Sequence, residues 1–361
     1  AKGSCSFRAL SEIIMKKYLL LLPLFFLFVT SQAQKKQYKS AIIGFYNLEN
    51  LFDTIDNTLI NDEEFLPSGI RNYNTAIYRD KLTKLASVIA QMGTTYTPDG
   101  PAILGVAEIE NDTVLNDLIK ETQLKKRNYQ FVHYDSKDAR GVDVGLLYNP
   151  TYFSVIASDK LFVSLPTGSK DAYYTRDILW VKGKLNGELI HLYVNHWPSR
   201  SGGEKRSEPG RIAAAAVCRK HIDSILLKEP NAKIVVMGDL NDDPTNKSVE
   251  KVLKAVDKDQ LDQQGALFNP WLDLFRNGIG TLAYQDAWGL FDQIIVSKQW
   301  LNKDQSGFFL YQPHVFNKEF LVENNGRYKG YPMRTWDGNS YRGGYSDHFP
   351  TYLLIVKELE K

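Results

Sequence analysis

Eight apolar runs of strand length constrain this chain more than any other feature: AIIGFY (41–46), AILGVA (102–107), VDVGLLY (142–148), ILWVKG (178–183), ELIHLYVN (188–195), KIVVMG (233–238), FDQIIVS (291–297) and TYLLIV (351–356). Some are separated by helical patterns. Leu82, Leu85, Ile89 and Met92 recur at helical intervals within 76–92. Ile212, Ala216, Arg219 and Ile222 mark a second helix over roughly 210–228. Other runs are joined by turns alone, and Asn186-Gly187 is a hairpin signal between 178–185 and 188–195. Crossover helices together with hairpins predict mixed sheets with helices outside, rather than an all-parallel sheet. Residues 299–345, rich in Tyr, Trp, Phe, Asn and Gly with weak periodicity, read as a long, partly ordered loop region bearing aromatics.

The N-terminal segment follows a different logic. Met15-Lys16-Lys17 precedes YLLLLPLFFLFVT and then the small residues Ser31 and Ala33, the pattern of a secretory signal cut after Ala33. The apolar run contains Pro23 and falls short of the ~20 residues a bilayer span needs. No cysteine follows it that would carry a lipid. The expected organisation is a leader over 1–33 and a single domain over 34–361, secreted or periplasmic, monomeric, with no stable membrane association and no protein partner.

Removing the leader changes the bulk properties. Its Lys2, Arg8, Lys16 and Lys17 against Glu12 carry +3; taken from +2 for the whole chain, this leaves −1. A globally basic nucleic-acid binder is excluded, so any polyanion must meet a local patch. Cys5 leaves with the leader, and Cys218 alone makes no intramolecular disulfide. Cys218, within RIAAAAVCRK, reads as a small buried apolar residue.

Polar residues punctuate the apolar runs at their ends. AIIGFY runs into Asn47, AILGVA into Glu108, ELIHLYVN into His196, and KIVVMG into Asp239 and Asn241; FDQIIVS opens with Asp292, and Ser346-Asp347-His348 precedes the last run. Gly238 is read as letting the backbone turn sharply at a sheet rim, so that Asp239 and Asn241 share a cavity while Leu240 returns to the core. Asp242-Asp243-Pro244 closes that turn and is not read as catalytic. The set holds carboxylates, carboxamides and two histidines, without a cysteine cluster or a glycine-rich phosphate loop. Such oxygen donors select Mg²⁺, Ca²⁺ or Mn²⁺ over zinc. They suit metal-assisted attack of water on a phosphate ester.

FYNLEN, GVAEIEN, RGVDVGLLYNP, VNHWPSR, GDLNDDP, FDQIIVS and YSDHFP, in that order from Asn47 to Pro350, resemble the endonuclease/exonuclease/phosphatase superfamily with its DNase I-like fold. His-Trp-Pro-Ser-Arg followed by Gly-Gly resembles its secreted bacterial members. The resemblance implies an α/β fold, a four-layer αββα sandwich of two mixed β-sheets flanked by helices, with the site at one rim. It implies Mg²⁺, with Mn²⁺ or Ca²⁺ as alternatives, held by Glu108 with Asn47 and Asp347, Asn47 also binding the substrate phosphate; Glu110 is a rival to Glu108. Asp239 would position the attacking water and Asn241 a phosphate oxygen. His348 would contact the scissile phosphate with Asp292 orienting its ring. His196 would be a second phosphate-facing histidine, with Asp143 the best candidate to orient it. Arg176 would touch phosphate, as would Arg200. The latter shares the loop after His196 with Lys205, Arg206 and Arg211, a patch suited to a polyanion. Trp197, Trp336 and Tyr345 would stack on bases or simply pack. His133, His191, His221 and His314 match no motif and are read as structural. The expected activity is a divalent-metal-dependent phosphodiesterase, foremost a nuclease acting on nucleic acid. The alternatives are a phosphomonoesterase, a lipid phosphoesterase acting on sphingomyelin or inositol phosphates, and a non-catalytic polyanion binder.

Overall fold

Alternation along each apolar run sends successive side chains to opposite faces, and the runs pair into two large sheets. The computed structural model describes residues 37–166, 174–304 and 307–359; the expected leader lies outside them. In chain order the strands are β1 (Tyr38–Leu51), β2 (Ile103–Ile109), β3 (Gln130–His133), β4 (Asp143–Tyr148), β5 (Phe153–Leu161), β6 (Ile178–Leu185), β7 (Glu188–His196) and β8 (Lys233–Asp239). They continue with β9 (Ala255–Val256), β10 (Leu267–Phe268), β11 (Leu282–Tyr284), β12 (Ala287–Gly289), β13 (Asp292–Ser297), β14 (Phe309–Val315), β15 (Trp336–Asp337), β16 (Ser340–Tyr341) and β17 (Thr351–Glu358). The helices are α1 (Thr75–Gln91), α2 (Asp112–Lys120), α3 (Glu204–Lys228) and the single turn α4 (Leu272–Arg276).

One sheet has six strands in the order β14-β17-β1-β2-β4-β3, and the other has seven in the order β5-β6-β7-β8-β13-β10-β9. Each holds a parallel pair at its centre joined through a helix: β1 with β2 across α1, and β7 with β8 across α3. Ile43, Phe45, Leu146, Val194, Val235 and Met237 meet in the cluster between the sheets. The alternate residues Ile42, Tyr46, Leu104 and Val106 face Leu82, Leu85, Ile89 and Leu118 of α1 and α2. Ile234, Val236 and Tyr193 face Ala214, Cys218 and Ile222 of α3. Three apolar seams thus make four layers, helix–sheet–sheet–helix. Lys39–Glu358 form one compact unit. Among the described residues no helix is long and apolar enough to cross a membrane.

Asn186 and Gly187, with φ of 48° and 89°, make the tight turn between β6 and β7 that their sequence announces. Three local features differ from expectation. The aromatic-rich 299–345 contains β14, which lies at the sheet edge, where Pro313 costs no ladder hydrogen bond to a further strand. α3 begins at Glu204 rather than near 210 and carries Pro209 inside it. The Arg211 guanidinium folds back to the Glu204 carbonyl (3.0 Å) and Ser207 Oγ (2.7 Å), securing that first stretch. Gly238 does not turn the chain: it lies within β8, paired with Asn195 and Gln293 on either side. A Cβ there would stand 2.2 Å from the Asn195 carbonyl oxygen, so close backbone approach, not bending, demands glycine.

Gly238→Ala therefore forces backbone apart at the centre of the second sheet. Urea unfolding should show a loss of at least about 2 kcal/mol, with an unchanged m-value.

Candidate active site

The carboxyl ends of the two central parallel pairs come to the same rim, and the backbone there is shaped to aim side chains. The β1–β2 register slips between Asn47 and Leu51. Within the slip, Glu49 and Asn50 take φ of 49° and 54°, and Glu108 opposite takes 60°. Left-handed backbone at non-glycine residues is costly, and bulges of this kind re-aim a side chain. Glu108 is held from both oxygens: Oε2 accepts the Asn50 N–H at 2.9 Å and Oε1 accepts the Asn47 amide at 3.2 Å. The same Asn47 nitrogen donates to Asp239 Oδ2 at 3.1 Å, from the first sheet to the second. Asn47 Oδ1 accepts the Glu49 N–H at 2.9 Å, which fixes the amide with its nitrogen toward the acids. Asn47 thus bridges the two carboxylates as a donor instead of offering its oxygen to a metal.

On the second sheet His196 and Asp239 are register partners, and Asp292 pairs with Asp239 from the other side. Asn241 turns the chain with φ of 50°, its N–H returning to Asp239 Oδ1 at 2.9 Å, while Leu240 is buried. Its side-chain amide donates to the Trp197 carbonyl at 3.0 Å, leaving one amide hydrogen for another acceptor. His348 Nδ1 lies 2.7 Å from Asp292 Oδ2, which also accepts from Thr281 Oγ1 at 2.5 Å. His348 Nε2 faces Asp239 Oδ2 at 3.9 Å and Asp347 Oδ1 at 4.0 Å. His196 Nε2 stands 3.7 Å from Asp239 Oδ2 and 3.8 Å from Glu108 Oε1. Asp239 is thus flanked by both imidazoles.

Their electrostatics diverge. Burial opposes charge on His348, but Asp292, Asp239 and Asp347 outweigh it and hold the ring well above the usual imidazole range. Burial, then the Arg176 and Arg140 guanidiniums, push His196 well below it. Burial raises Asp239 to about 7; the His348 charge opposes this, while Asp292 and Glu108 add to it.

Several expected contacts fall elsewhere. Asp143 does not orient His196, whose Nδ1 is buried without a hydrogen-bond partner; its Oδ2 instead faces His133 Nε2 at 3.5 Å. The reason is topological: Asp143 opens β4, next to β3, which ends at His133. Arg176 is buried, donates to Asp138 Oδ2 (3.3 Å) and the Trp197 carbonyl (2.8 Å), and acts on His196 through its charge. Arg200 is spent on the GDLNDDP loop, binding the Asn241 carbonyl, Asp242, Asp243 and Asn246. Arg211, fully buried, joins it on Asp242 at 2.7 Å. The loop after His196 therefore uses two of its four expected surface cations internally. Trp197 and Trp336 are core residues and pack, while Tyr345 is partly buried with its ring edge-on to Phe320. Asp347 lies toward solvent between His348 and Arg334, outside the group formed by Glu108, His196 and Asp239. Glu110 points away, accepting the Asp53 N–H at 2.7 Å.

Other contributors were not expected as site residues, although Glu49, Arg140 and Ser346 lie within the motifs quoted above. Thr281, just before β11, supports Asp292, and its carbonyl accepts the Phe349 N–H at 2.7 Å. Ser346 Oγ donates to the Asn47 carbonyl (2.7 Å) and accepts the His348 N–H (3.1 Å), seating SDH on β1. Glu49 accepts the Thr335 and Trp336 N–H groups, tying the aromatic excursion to the same strand end. Arg140 is an exposed cation whose charge acts on His196: its side chain is 52% exposed, and Asp138 Oδ1 stands 3.6 Å from it.

The donor set suits a divalent ion. Glu108, His196 and Asp239 present ligand atoms within 4.8 Å of one another. Two carboxylates drawn together on one amide nitrogen repel each other unless a cation lies between them. In metal-free protein, His348 should titrate above 6.5 by NMR, and Asp292→Asn, which removes the main charge favouring its protonated form, should move that titration to lower pH.

Known structures share this architecture. An endonuclease/exonuclease/phosphatase family protein from Bacteroides thetaiotaomicron is 18% identical, with a TM-score of 0.54 over 90% of this chain and 100% of that one. A mannosyl-6-phosphatase from Bacteroides thetaiotaomicron is 17% identical, with a TM-score of 0.53 over 88% and 99%. TDP2 from Caenorhabditis elegans is 15% identical, with a TM-score of 0.51 over 88% and 74%. At such identities the likeness establishes the fold. No curated protein matches the sequence. The model of the Endonuclease/Exonuclease/phosphatase family matches residues 42–357. The rim carries acidic and histidine groups that could hold a divalent ion, and the chain belongs to the endonuclease/exonuclease/phosphatase family, whose members hydrolyse phosphoric esters.

Proposed function

We propose that this hydrolase removes phosphate from small or chain-terminal esters, using Mg²⁺. One observation carries the chemistry: Asn47 holds Glu108 and Asp239 together while His196 and His348 flank Asp239. Glu108 and Asp239, with His196 facing them, would hold the ion, which supplies positive charge against the substrate phosphate. Asp239, flanked by both imidazoles, would also position the attacking water. His348, kept charged by Asp292, donates from Nε2 to a phosphate oxygen as negative charge accumulates. The remaining Asn241 amide hydrogen and the exposed Arg140 serve the other oxygens.

The substrate reading rests on what surrounds that centre. A long nucleic-acid strand needs a track of free cations and stacking faces. Arg211 is buried here, as are Trp197 and Trp336, and Arg200, 25% exposed, is bound to Asn241, Asp242 and Asp243. The β11–β12 hairpin instead exposes Tyr284 and Trp288, and Trp288 stacks on Phe349, next to His348. This is a compact face for one ring of the leaving alcohol, a sugar or a base. The mannosyl-6-phosphatase of the same fold is consistent with such a substrate. The leader pattern at Met15–Ala33 supports export of the enzyme.

The full chain should be assayed on hexose phosphates, nucleotides, DNA, RNA, inositol phosphates and sphingomyelin, with Mg²⁺ or EDTA. Phosphate release from the small esters, abolished by EDTA, is expected. Strand cleavage without small-ester hydrolysis would make it a nuclease, and metal-insensitive silence from folded protein would make it a binder. His348→Gln should lower kcat by about 10²–10⁴ without unfolding the chain. Arg140→Ala should raise KM about tenfold, with kcat changed less.

A further inference from the structure

A second group of metal-ligating side chains lies outside the catalytic residues. His133 ends β3, Asp143 opens β4, and Asp135 stands two residues into the loop that joins them. Their ligand atoms all lie within 4.8 Å of one another, and the group shares no residue with the catalytic ones.

The histidine has the geometry of a ligand. Its side chain is only 2% exposed, and Nδ1 lies 2.7 Å from Asp112 Oδ1 at the start of α2. A carboxylate on one ring nitrogen fixes the tautomer and turns the other nitrogen outward as a donor. That other nitrogen, Nε2, is buried without a hydrogen-bond partner. It faces Asp143 Oδ2 across 3.5 Å, too long for a good hydrogen bond. Donor atoms sharing a four-coordinate ion at ~2.0–2.2 Å stand about 3.3–3.5 Å apart, so an ion fits between these two. Asp135 is exposed, and among the described residues its side chain has no hydrogen-bond or ion-pair partner, so it can complete the set.

The local charge also calls for a cation. Among the described residues neither Asp135 nor Asp143 is ion-paired to a lysine or arginine. The nearby ammonium groups are directed elsewhere. Lys137 sits over the Phe162 and Tyr174 rings, and Lys160 binds the Asp135 carbonyl and faces Asp177 at 3.8 Å. Three carboxylates, Asp112, Asp135 and Asp143, therefore surround one imidazole, and even a protonated ring leaves an excess of negative charge.

We infer that His133 Nε2, Asp135 and Asp143 form a separate site for a divalent transition-metal ion of the zinc type, with Asp112 orienting the histidine. One nitrogen and two carboxylate donors suit zinc, with water completing the shell. The ion closes the base of the loop 134–142. That loop is otherwise wound on Asp138, which accepts the Arg140 N–H, and on Asp143, which accepts the Ser136 N–H. It carries Arg140 beside the catalytic rim, so the ion is a structural brace for that residue rather than a participant in hydrolysis.

Zn²⁺ alone is the probe, titrated calorimetrically into the full chain carrying Glu108→Gln and Asp239→Asn, which removes the catalytic carboxylates. One equivalent should bind. Adding His133→Gln should abolish it, and adding Asp135→Asn, at an exposed side chain with no folding role, should weaken it at least tenfold. The His133 ring resonances should lose their pH titration when Zn²⁺ is saturating. No binding in the double variant overturns the site, and so does binding unchanged by either added substitution. A His133 ring that still titrates beside bound zinc does the same, leaving a plain imidazolium among carboxylates. None of these readouts depends on the substrate or on the catalytic ion.

Discussion

One amide nitrogen, Asn47 Nδ2, holds the catalytic rim together. It donates to Glu108 within its own sheet and to Asp239 in the facing sheet, so the two layers are tied at the edge that carries the candidate site. The two acids gain a partner but also acquire each other's charge at close range. Such an arrangement is costly in a buried setting and is relieved by a divalent cation. The strained backbone at Glu49, Asn50 and Glu108 follows from the same demand. An ideal parallel pair would direct Glu108 along its strand face, whereas the slip brings its two oxygens to an amide and a backbone N–H. The cost, of order 1–3 kcal/mol per outlier, is borne by the apolar seams beneath.

Around this point the protein spends its arginines on scaffolding. Arg200 and Arg211 converge on Asp242, and Arg176 reaches Asp138 and the Trp197 carbonyl. Each replaces water around buried acid or carbonyl groups that would otherwise lack partners. The consequence is functional: the guanidiniums brace the GDLNDDP loop and the His196 side of the rim, and Arg140 is left exposed. Burial disfavours charge on both His196 and His348; at His196 the Arg176 and Arg140 guanidiniums add to it, whereas at His348 Asp292, Asp239 and Asp347 outweigh it.

The strand ends were legible because polarity at the end of an apolar run is a local pattern. Asn47, Glu108, His196, Asp239, Asp292 and His348 do gather at one rim. The pairing of helpers was less legible. Asp143 and His133 lie ten positions apart across a loop of no regular pattern, yet they belong to adjacent strands. Gly238 read as a hinge because glycine commonly bends chains; its actual constraint comes from Asn195, over forty positions earlier. Thr281, whose hydroxyl secures Asp292, sits in a segment with no motif at all.

By itself, then, the sequence determined the sheet-forming runs, their alternation between inner and outer faces, and the residue types delivered to strand ends. These follow from periodicity and local backbone preference, which act over a few positions. Only the tertiary structure decided which donor meets which acceptor. It set Asn47 between two acids, turned Arg176 and Arg200 inward, and left His133 with a free nitrogen facing Asp143. Those outcomes depend on sheet order and register, which bring distant segments within hydrogen-bond reach, and no short stretch of chain encodes them.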